Sequence, residues 1–455
     1  MIETFDAIII GGGQAGPALA ARLAGAGQKV VLIERHLLGG TCVNTGCTPT
    51  KAMVASAHVA HMARRADDYG VSVDGLVSVD MRRVRVRKDH IVEASRDGLK
   101  SWLEGTDGVD LLFGHARFVS DHEIAVGERR LTAPKIFINV GGRARIPDLP
   151  GLDQITPLTN SSILELDQAP DHLIILGGGY IALEFAQMFR RFGSAVTVIE
   201  HGDRLLKRED EDASEVVTEL LAGEGVVFRL GTEAASVAKT DEGVGVTLKS
   251  GEMIAGTHLL VAVGRVPNTD DLGLEATGIS TDKHGYIVTN PRLETDVEGV
   301  WALGECNGRG AFTHTSYNDY EIVADNLLGG ASRSTKDRQT AYALYTDPPM
   351  GRAGMSVADA QAAGHAVLVG KRPMTRVSRA TEKGETTGFM KVVVDANTDA
   401  ILGATIFGVG GDEVVHVLLD AIQAGTTATA LRQTMHIHPT VAELVPTILG
   451  ELEPA

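Results

Sequence analysis

Cys42 and Cys47, with Val43, Asn44, Thr45 and Gly46 between them, are the residues of this chain best suited to electron chemistry. Thiols at that spacing close a small disulfide ring if the backbone turns, and Gly46 supplies freedom to turn. A ring so short removes little entropy from the unfolded chain, so it would be a poor staple for a large domain. Two sulfurs alone do not complete a tetrahedral metal set, and no metal site is expected. Reversible thiol–disulfide exchange is the use that remains. Lys51 falls one helical turn beyond Cys47 if a helix starts at the second thiol, which puts ammonium and sulfur on one face.

A redox pair needs a source of electrons, and an internal repeat supplies a candidate. Residues 7–35 and 173–201 each read as an apolar strand, a glycine turn, a helix, a second apolar strand and a terminal acid. Gly11 stands 23 residues before Glu34, and Gly177 stands 23 before Glu200. One glycine-rich turn is weak evidence, but two in matching context with the acid at one offset indicate two dinucleotide sites. Gly11 and Gly177 make the tight turn, Gly13 and Gly179 admit a pyrophosphate, and Gly16 and Ala182 let the helix lie near the strand. The helix N-terminus then presents free N–H groups to phosphates, and Glu34 and Glu200 can accept from a ribose. Glu200 favours NADH over NADPH, because a carboxylate repels a 2′-phosphate; Arg204 is near enough in sequence to soften that preference.

The bulk composition agrees with this class. The chain has 455 residues, 44% hydrophobic and 22% charged, with 53 glycines and a net charge of −17. That charge argues against nucleic-acid or anionic-membrane partners. The basic run Arg82, Arg83, Arg85, Arg87 and Lys88 reads as a solvated helix face. The third cysteine, Cys306, reads as a small buried residue. No apolar stretch is long enough to cross a bilayer and the N-terminus runs straight into a strand at Phe5–Ile10, so the expected location is cytoplasmic. Pro134–Gly142, His258–Arg265 and Trp301–Glu305 read as further strands that end in glycine turns. Pro147–Gly151 reads as a linker. From about Tyr342 the pattern changes to a strand pair, Val392–Asp395 and Ile401–Thr405, followed by helices near Glu413–Ala424 and Val441–Leu449.

These motifs together resemble the class I pyridine nucleotide–disulfide oxidoreductases, in the branch of mercuric reductases and dihydrolipoyl dehydrogenases. The most specific stretches are Gly39–Lys51, Gly177–Glu184, Trp301–Gly308 and His436–Glu443. The resemblance implies an α/β fold of two Rossmann-like domains, for FAD and NAD(P), with a C-terminal α+β dimerisation domain. The expected ranges are 1–148 and 273–338 for the FAD domain, 149–272 for the NAD(P) domain and 339–455 for the dimerisation domain. It implies a Cys42–Cys47 redox disulfide, with Cys47 against the flavin and Cys42 meeting the substrate. It pairs Lys51 with Glu184 near the flavin and makes Tyr180 the aromatic cover that nicotinamide displaces. It assigns Gly11, Gly13, Gly16, Glu34, Arg35, Gly40, Thr41, Lys51, Ala116, Gly142, Glu305 and Phe312 to FAD. Gly177, Gly179, Ala182, Glu200 and Gly264 go to the nicotinamide nucleotide. Glu305 stands where the family usually has Asp. His438-Pro439-Thr440 and Glu443 match the family's proton carrier and its orienting acid, which act across a homodimer; His436 reads as packing support.

The resemblance leaves the acceptor open between a small-molecule disulfide or dithiol and a soft metal ion. The last residues, Gly450–Ala455, carry no cysteine pair of the kind that hands on mercury, and His438 is a residue mercuric reductases usually lack. A proton carrier suits disulfide exchange, where a leaving thiolate must be protonated. A dihydrolipoyl dehydrogenase running from dithiol to NAD is the second reading, and a flavoprotein redox sensor the third.

Overall fold

The computed structural model describes residues 1–455. Its first sheet is built from short runs such as Ala-Ile-Ile-Ile and Val-Val-Leu-Ile-Glu, whose residues are all buried. Continuous β-branched runs with no polar alternation suit a sheet covered on both faces. Five parallel strands result, in the order Val300–Ala302, Ile136–Ile138, Ala7–Ile10, Val30–Glu34, Val109–Phe113. The second copy of the repeat gives four parallel strands, His258–Val261, His172–Leu176, Ala195–Ile199, Val226–Arg229, in the corresponding spatial order. In each sheet the strand before the glycine turn is central. The crevice for a dinucleotide opens beyond the carboxyl ends of these strands. The strand expected over Phe5–Ile10 starts at Ala7, and Phe5 before it is buried in the same apolar cluster as Ile8 and Leu131.

The glycine turns repeat in atomic detail. Gly11 and Gly177 have φ of 109° and 105°. A Cβ at Gly11 would lie 2.2 Å from the Asn139 carbonyl oxygen, and one at Gly177 would lie 2.5 Å from that of Ala262. Both glycines are therefore required twice, by backbone conformation and by contact with the neighbouring strand. A Cβ at Gly16 would lie 2.3 Å from the Gly11 carbonyl oxygen, whereas Ala182 accommodates its methyl in the core.

The C-terminal part forms a six-stranded antiparallel sheet, in the order Ala341–Leu344, Met350–Gly354, Ile401–Phe407, Phe389–Asp395, Val367–Pro373, Glu453–Pro454. The helix Gly411–Gln423 packs on it through Val415, Leu418 and Ala421. The single helix expected over 441–449 is split into a 3-10 turn, Ala442–Leu444, and a short helix, Val445–Ile448, with Pro446 at its start. Proline has no N–H to continue the preceding turn. One apolar core joins all three parts: Met53 and Ala57, then Leu183, Phe185 and Phe189, then Leu344, Phe389 and Phe407 all belong to it.

The basic run is a solvated face as expected at Arg82, Arg83 and Arg87, and departs from it at Lys88. It lies on the helix Met81–Glu104, started by Asp80, whose carboxylate accepts from the backbone N–H of Arg82 and Arg83. Lys88 is buried and pairs with Asp89 and Glu165, and Arg87 donates to the Ala52 carbonyl oxygen. Successive residues on a helix point to different sides, so one member of a run this long turns inward, and here it is Lys88. No helix is long and apolar enough to cross a membrane.

Candidate active site

Cys47 is the first residue of the helix Cys47–Arg64, and the helical turn Gly40–Thr45 ends just before it at Gly46. Both sulfurs are free thiols here, where the sequence led to an expected disulfide. The two thiols act on one another, and their proton affinities are pushed in opposite directions. The Cys42 thiol donates to Cys47, the Thr313 hydroxyl lies 3.2 Å from the Cys47 sulfur, and the Lys51 charge adds to both. Together these overcome burial and bring the Cys47 thiol down to about 6. Cys42 moves the other way, because ionising it would put a second negative charge beside Cys47 in a half-buried site.

Lys51 follows one turn later and its Nζ lies 2.5 Å from Oε2 of the buried Glu184. Glu184 belongs to the helix Tyr180–Phe192, which starts at the second glycine turn. One face of that helix is polar yet buried, with Glu184, Gln187 and Arg191 in line. It holds the segment Tyr345–Asp347. Glu184 Oε1 accepts from the Tyr345 N–H at 3.0 Å, and Gln187 exchanges hydrogen bonds with the Asp347 backbone at 2.8 and 2.9 Å. Arg191 pairs with Asp347 and Glu224, and His58 Nδ1 lies 2.7 Å from the same Asp347 carboxylate.

Cys42, Cys47, Lys51, Tyr180, Glu184, Glu305 and Phe312 line one cavity of about 860 Å³. Gly11, Gly13, Glu34, Gly40 and Thr41 border it as well. Tyr180 packs on Phe312 with ring centroids 5.5 Å apart, and Phe312 stacks on Tyr342 at 5.4 Å. Burial raises the Tyr180 hydroxyl above the usual tyrosine range, so it stays neutral. Arg35 and Ala116 lie at a small side pocket with Gly11 and Glu34, and Arg35 pairs with Asp271. Glu305 is clamped by Arg265, whose Nε and Nη2 lie 2.6 and 2.9 Å from its oxygens, and the same guanidinium donates to the Gly142 carbonyl oxygen. Gly264 has φ 114° and nothing near its missing Cβ.

The two acids of the repeat do the same structural work. Glu34 accepts from the N–H of Gly12 and of His36, each at 2.8 Å. Glu200 accepts from Gly178 at 2.6 Å and Gly202 at 2.7 Å, and His201 Nδ1 lies 2.8 Å from it. Arg204 does not reach Glu200. Its guanidinium is spent on the carbonyl oxygens of Glu209 and Lys207. Cys306 is fully buried, its thiol donates to the Leu303 and Ile138 carbonyl oxygens, and burial pushes it up to about 12. His438 Nδ1 lies 2.8 Å from Glu443, but His438 is 75% exposed and lines no part of its own chain's cavity.

Residues 5–319 match the pyridine nucleotide-disulphide oxidoreductase family, and residues 340–448 match the dimerisation domain of the same family. The chain belongs to that family. Its members are flavin-dependent oxidoreductases that use FAD and a pyridine nucleotide, and so this protein is an enzyme of that class. It is 35% identical over 450 residues to the probable pyridine nucleotide-disulfide oxidoreductase RclA of Escherichia coli, covering 97% of this chain and 98% of that one. It is 33% identical to a dihydrolipoyl dehydrogenase of Thermus scotoductus, over 97% and 96% of the two chains. A mercuric reductase of Staphylococcus aureus is 32% identical, over 96% of this chain and 81% of the relative. The solved structure of the HOCl-induced flavoprotein disulfide reductase RclA from Escherichia coli superposes with a TM-score of 0.90 at 34% identity, over 98% and 99% of the chains.

The cavity fits a flavin dinucleotide on its own terms. Asn44 Oδ1 is buried in its wall without a hydrogen-bond partner, although the amide nitrogen of the same side chain donates to the carbonyl oxygens of Leu38 and Gly40. A buried acceptor left unmatched is costly and points to a donor from outside the chain. A Cβ at Gly13 would meet only Asn139, at 3.4 Å from its side-chain nitrogen and 3.9 Å from its carbonyl oxygen, so a phosphate has room above the turn. Sequence reasoning missed Thr313, Asn139, Arg265 and Tyr345. Arg265 and Thr313 each directly follow a residue it did assign. Asn139, which donates to the Gly11 carbonyl oxygen, and Tyr345 had no local signal.

Proposed function

We propose that the protein reduces a small-molecule disulfide or a soft metal ion with electrons from NAD(P)H, NADH being preferred, through a Cys42–Cys47 dithiol–disulfide couple. The observation that carries this reading is the pairing of Cys42 and Cys47 at the wall of the cavity, with the Thr313 hydroxyl 3.2 Å from the Cys47 sulfur and Lys51 one helical turn on. Gly11, Gly13, Gly40, Thr41 and Glu305 would hold FAD, Gly177 and Gly179 the nicotinamide nucleotide. Bound FAD supplies two-electron transfer from the nicotinamide to the disulfide.

The chain's own residues account for the rest. Lys51, fixed by Glu184, keeps a positive charge at the Cys47 end and favours thiolate there. Tyr180 and Phe312 close the apolar side and exclude water. Cys42, which retains its proton next to the Cys47 thiolate, needs a base before it can attack. The His438–Glu443 pair of a second copy fits that need, since its exposed imidazole is oriented by a carboxylate and serves no group of its own chain. The Cys42 thiolate then attacks an acceptor disulfide, one thiol leaves with a proton from the imidazole, and Cys47 displaces the second to restore the disulfide.

A metal acceptor is supported by a second neighbour, the Cu(II) complex of RclA from Escherichia coli, at TM-score 0.91 and 33% identity over 99% of each chain. Soft or borderline ions are the ones a thiol pair attracts. The test is NADH oxidation by the purified flavoprotein with lipoamide, glutathione disulfide, mycothiol disulfide, Hg(II) and Cu(II) as acceptors. One acceptor should dominate and the Cys42→Ser variant should lose it. Full turnover in that variant would overturn the reading, and preferred oxidation of dihydrolipoamide by NAD would replace it with the dehydrogenase direction.

A further inference from the structure

Tyr345 belongs to none of the motifs that define the site, yet it lines the cavity directly after the strand Ala341–Leu344. The Lys51 ammonium sits 4.3 Å from the centroid of its ring, within cation–π range. Glu184 touches both partners, Lys51 through Oε2 at 2.5 Å and the Tyr345 backbone N–H through Oε1 at 3.0 Å. Tyr345, Lys51 and Glu184 therefore touch one another pairwise, Tyr345 through its ring on one side and its backbone N–H on the other. The backbone that carries the ring is anchored, because Asp347, two residues on, is tied through its backbone to Gln187 and Arg191 and through its carboxylate to Arg191 and His58.

A lysine held by one carboxylate still has freedom in its four-carbon stem. Lys51 is about a third exposed, so water competes for its ammonium. We propose that Tyr345 is a positioning residue, whose ring face together with Glu184 confines the Lys51 ammonium to one place, a helical turn above Cys47. Its effect reaches the thiol only through Lys51. Burial and the charges of Asp412, Glu184, Cys47 and Glu413 raise the Tyr345 hydroxyl, so it stays neutral and adds no charge of its own. The groups acting on the Cys47 sulfur are Cys42, Thr313 and Lys51, and Tyr345 bears on the last of these.

This inference rests on the proposed thiol chemistry, and the experiment separates the two. The readout is the pH profile of Cys47 alkylation by iodoacetamide, followed by peptide mass, in reduced holoenzyme carrying Cys42→Ser so that Cys47 reacts alone. Tyr345→Leu should raise the Cys47 midpoint by about half a pH unit, about a threefold loss of thiolate below it. Tyr345→Phe keeps the ring and should leave the profile in place. Lys51→Met should raise the midpoint at least as far, and adding Tyr345→Leu to it should change nothing more. An unshifted profile in Tyr345→Leu, an equal shift in Tyr345→Phe, or a further shift on top of Lys51→Met would each overturn the proposal. If Tyr345→Leu fails to retain flavin, Tyr345→Met takes its place with the same expectations. A parent protein whose Cys47 titrates like an ordinary thiol would remove the functional reading as well; an unshifted Tyr345 series on a low-titrating parent removes only the role of Tyr345.

Discussion

Replacing Cys42 by alanine should cost Cys47 much of its thiolate character, whereas replacing it by serine should not. The Cys42 thiol is the largest contributor to the lowered Cys47 value, ahead of Thr313 and Lys51. A hydrogen bond to a charged acceptor contributes about 1.5–3 kcal/mol, and about 1.4 kcal/mol corresponds to one pH unit. Alanine offers no donor, so the Cys47 midpoint should climb from about 6 by roughly one to two units. A serine hydroxyl still donates and should hold the midpoint near the parent value. At neutral pH the thiolate fraction would fall from about nine-tenths to between about a half and a tenth in the alanine variant. The remaining thiolate would be intrinsically more nucleophilic, with a Brønsted slope of about 0.4–0.5, so initial alkylation rates alone would understate the loss. The assay is therefore the full pH–rate profile of Cys47 alkylation in the reduced protein, compared among parent, Cys42→Ser and Cys42→Ala. An alanine variant that titrates with the parent would refute the reasoning, because the Lys51 charge or the Thr313 hydroxyl would then be sufficient. Equal upward shifts in serine and alanine would refute it differently, by showing that the sulfur atom itself, and not its donor proton, stabilises the thiolate.

Two further outcomes are expected. Glu200→Ala should narrow the ratio of NADH to NADPH turnover about tenfold or more, since a carboxylate beside a 2′-phosphate is removed; a ratio that already favours NADPH in the parent would sink the assignment. His438→Ala and Cys42→Ser proteins, each inactive alone, should regain about a quarter of parental turnover when their subunits are mixed and exchanged, because a dimer carrying both changes leaves one complete site. Absence of any regain after proven subunit exchange would show that His438 serves its own chain.

What the sequence made legible is what local backbone chemistry dictates. A glycine that must hold φ above 100° against a carbonyl oxygen cannot be replaced quietly, so Gly11 and Gly177 announced both nucleotide folds. A thiol at the first position of a helix with a lysine one turn on is likewise a local pattern, and Cys47 and Lys51 stand on that helix. The terminal acids were found for the same reason, although their backbone hydrogen bonds to Gly12 and Gly178 were not foreseen.

Beyond the Lys51–Glu184 pair, which the resemblance implied, the polar seam between the helices Cys47–Arg64 and Tyr180–Phe192 was not legible, and the cause is physical. Glu184, Gln187 and Arg191 look like the solvent face of an amphipathic helix, because helical periodicity reports which residues are polar and not what they meet. They are buried only because a segment from the C-terminal sheet, Tyr345–Asp347, brings its own backbone donors and acceptors to them. Buried polar groups are tolerated when every partner is supplied, and here one partner set comes from each of the three parts of the chain. Loss of a charged member would leave a buried partner uncompensated, and loss of Gln187 would leave buried backbone groups unpaired, which makes the seam a lock on relative placement as well as a set of hydrogen bonds. Lys51 and Tyr180 sit at the cavity end of that lock. The distance from the second glycine turn to the thiol pair is thus set by contacts that no single motif encodes, and a sequence can name candidate reacting groups long before it shows what holds them in register.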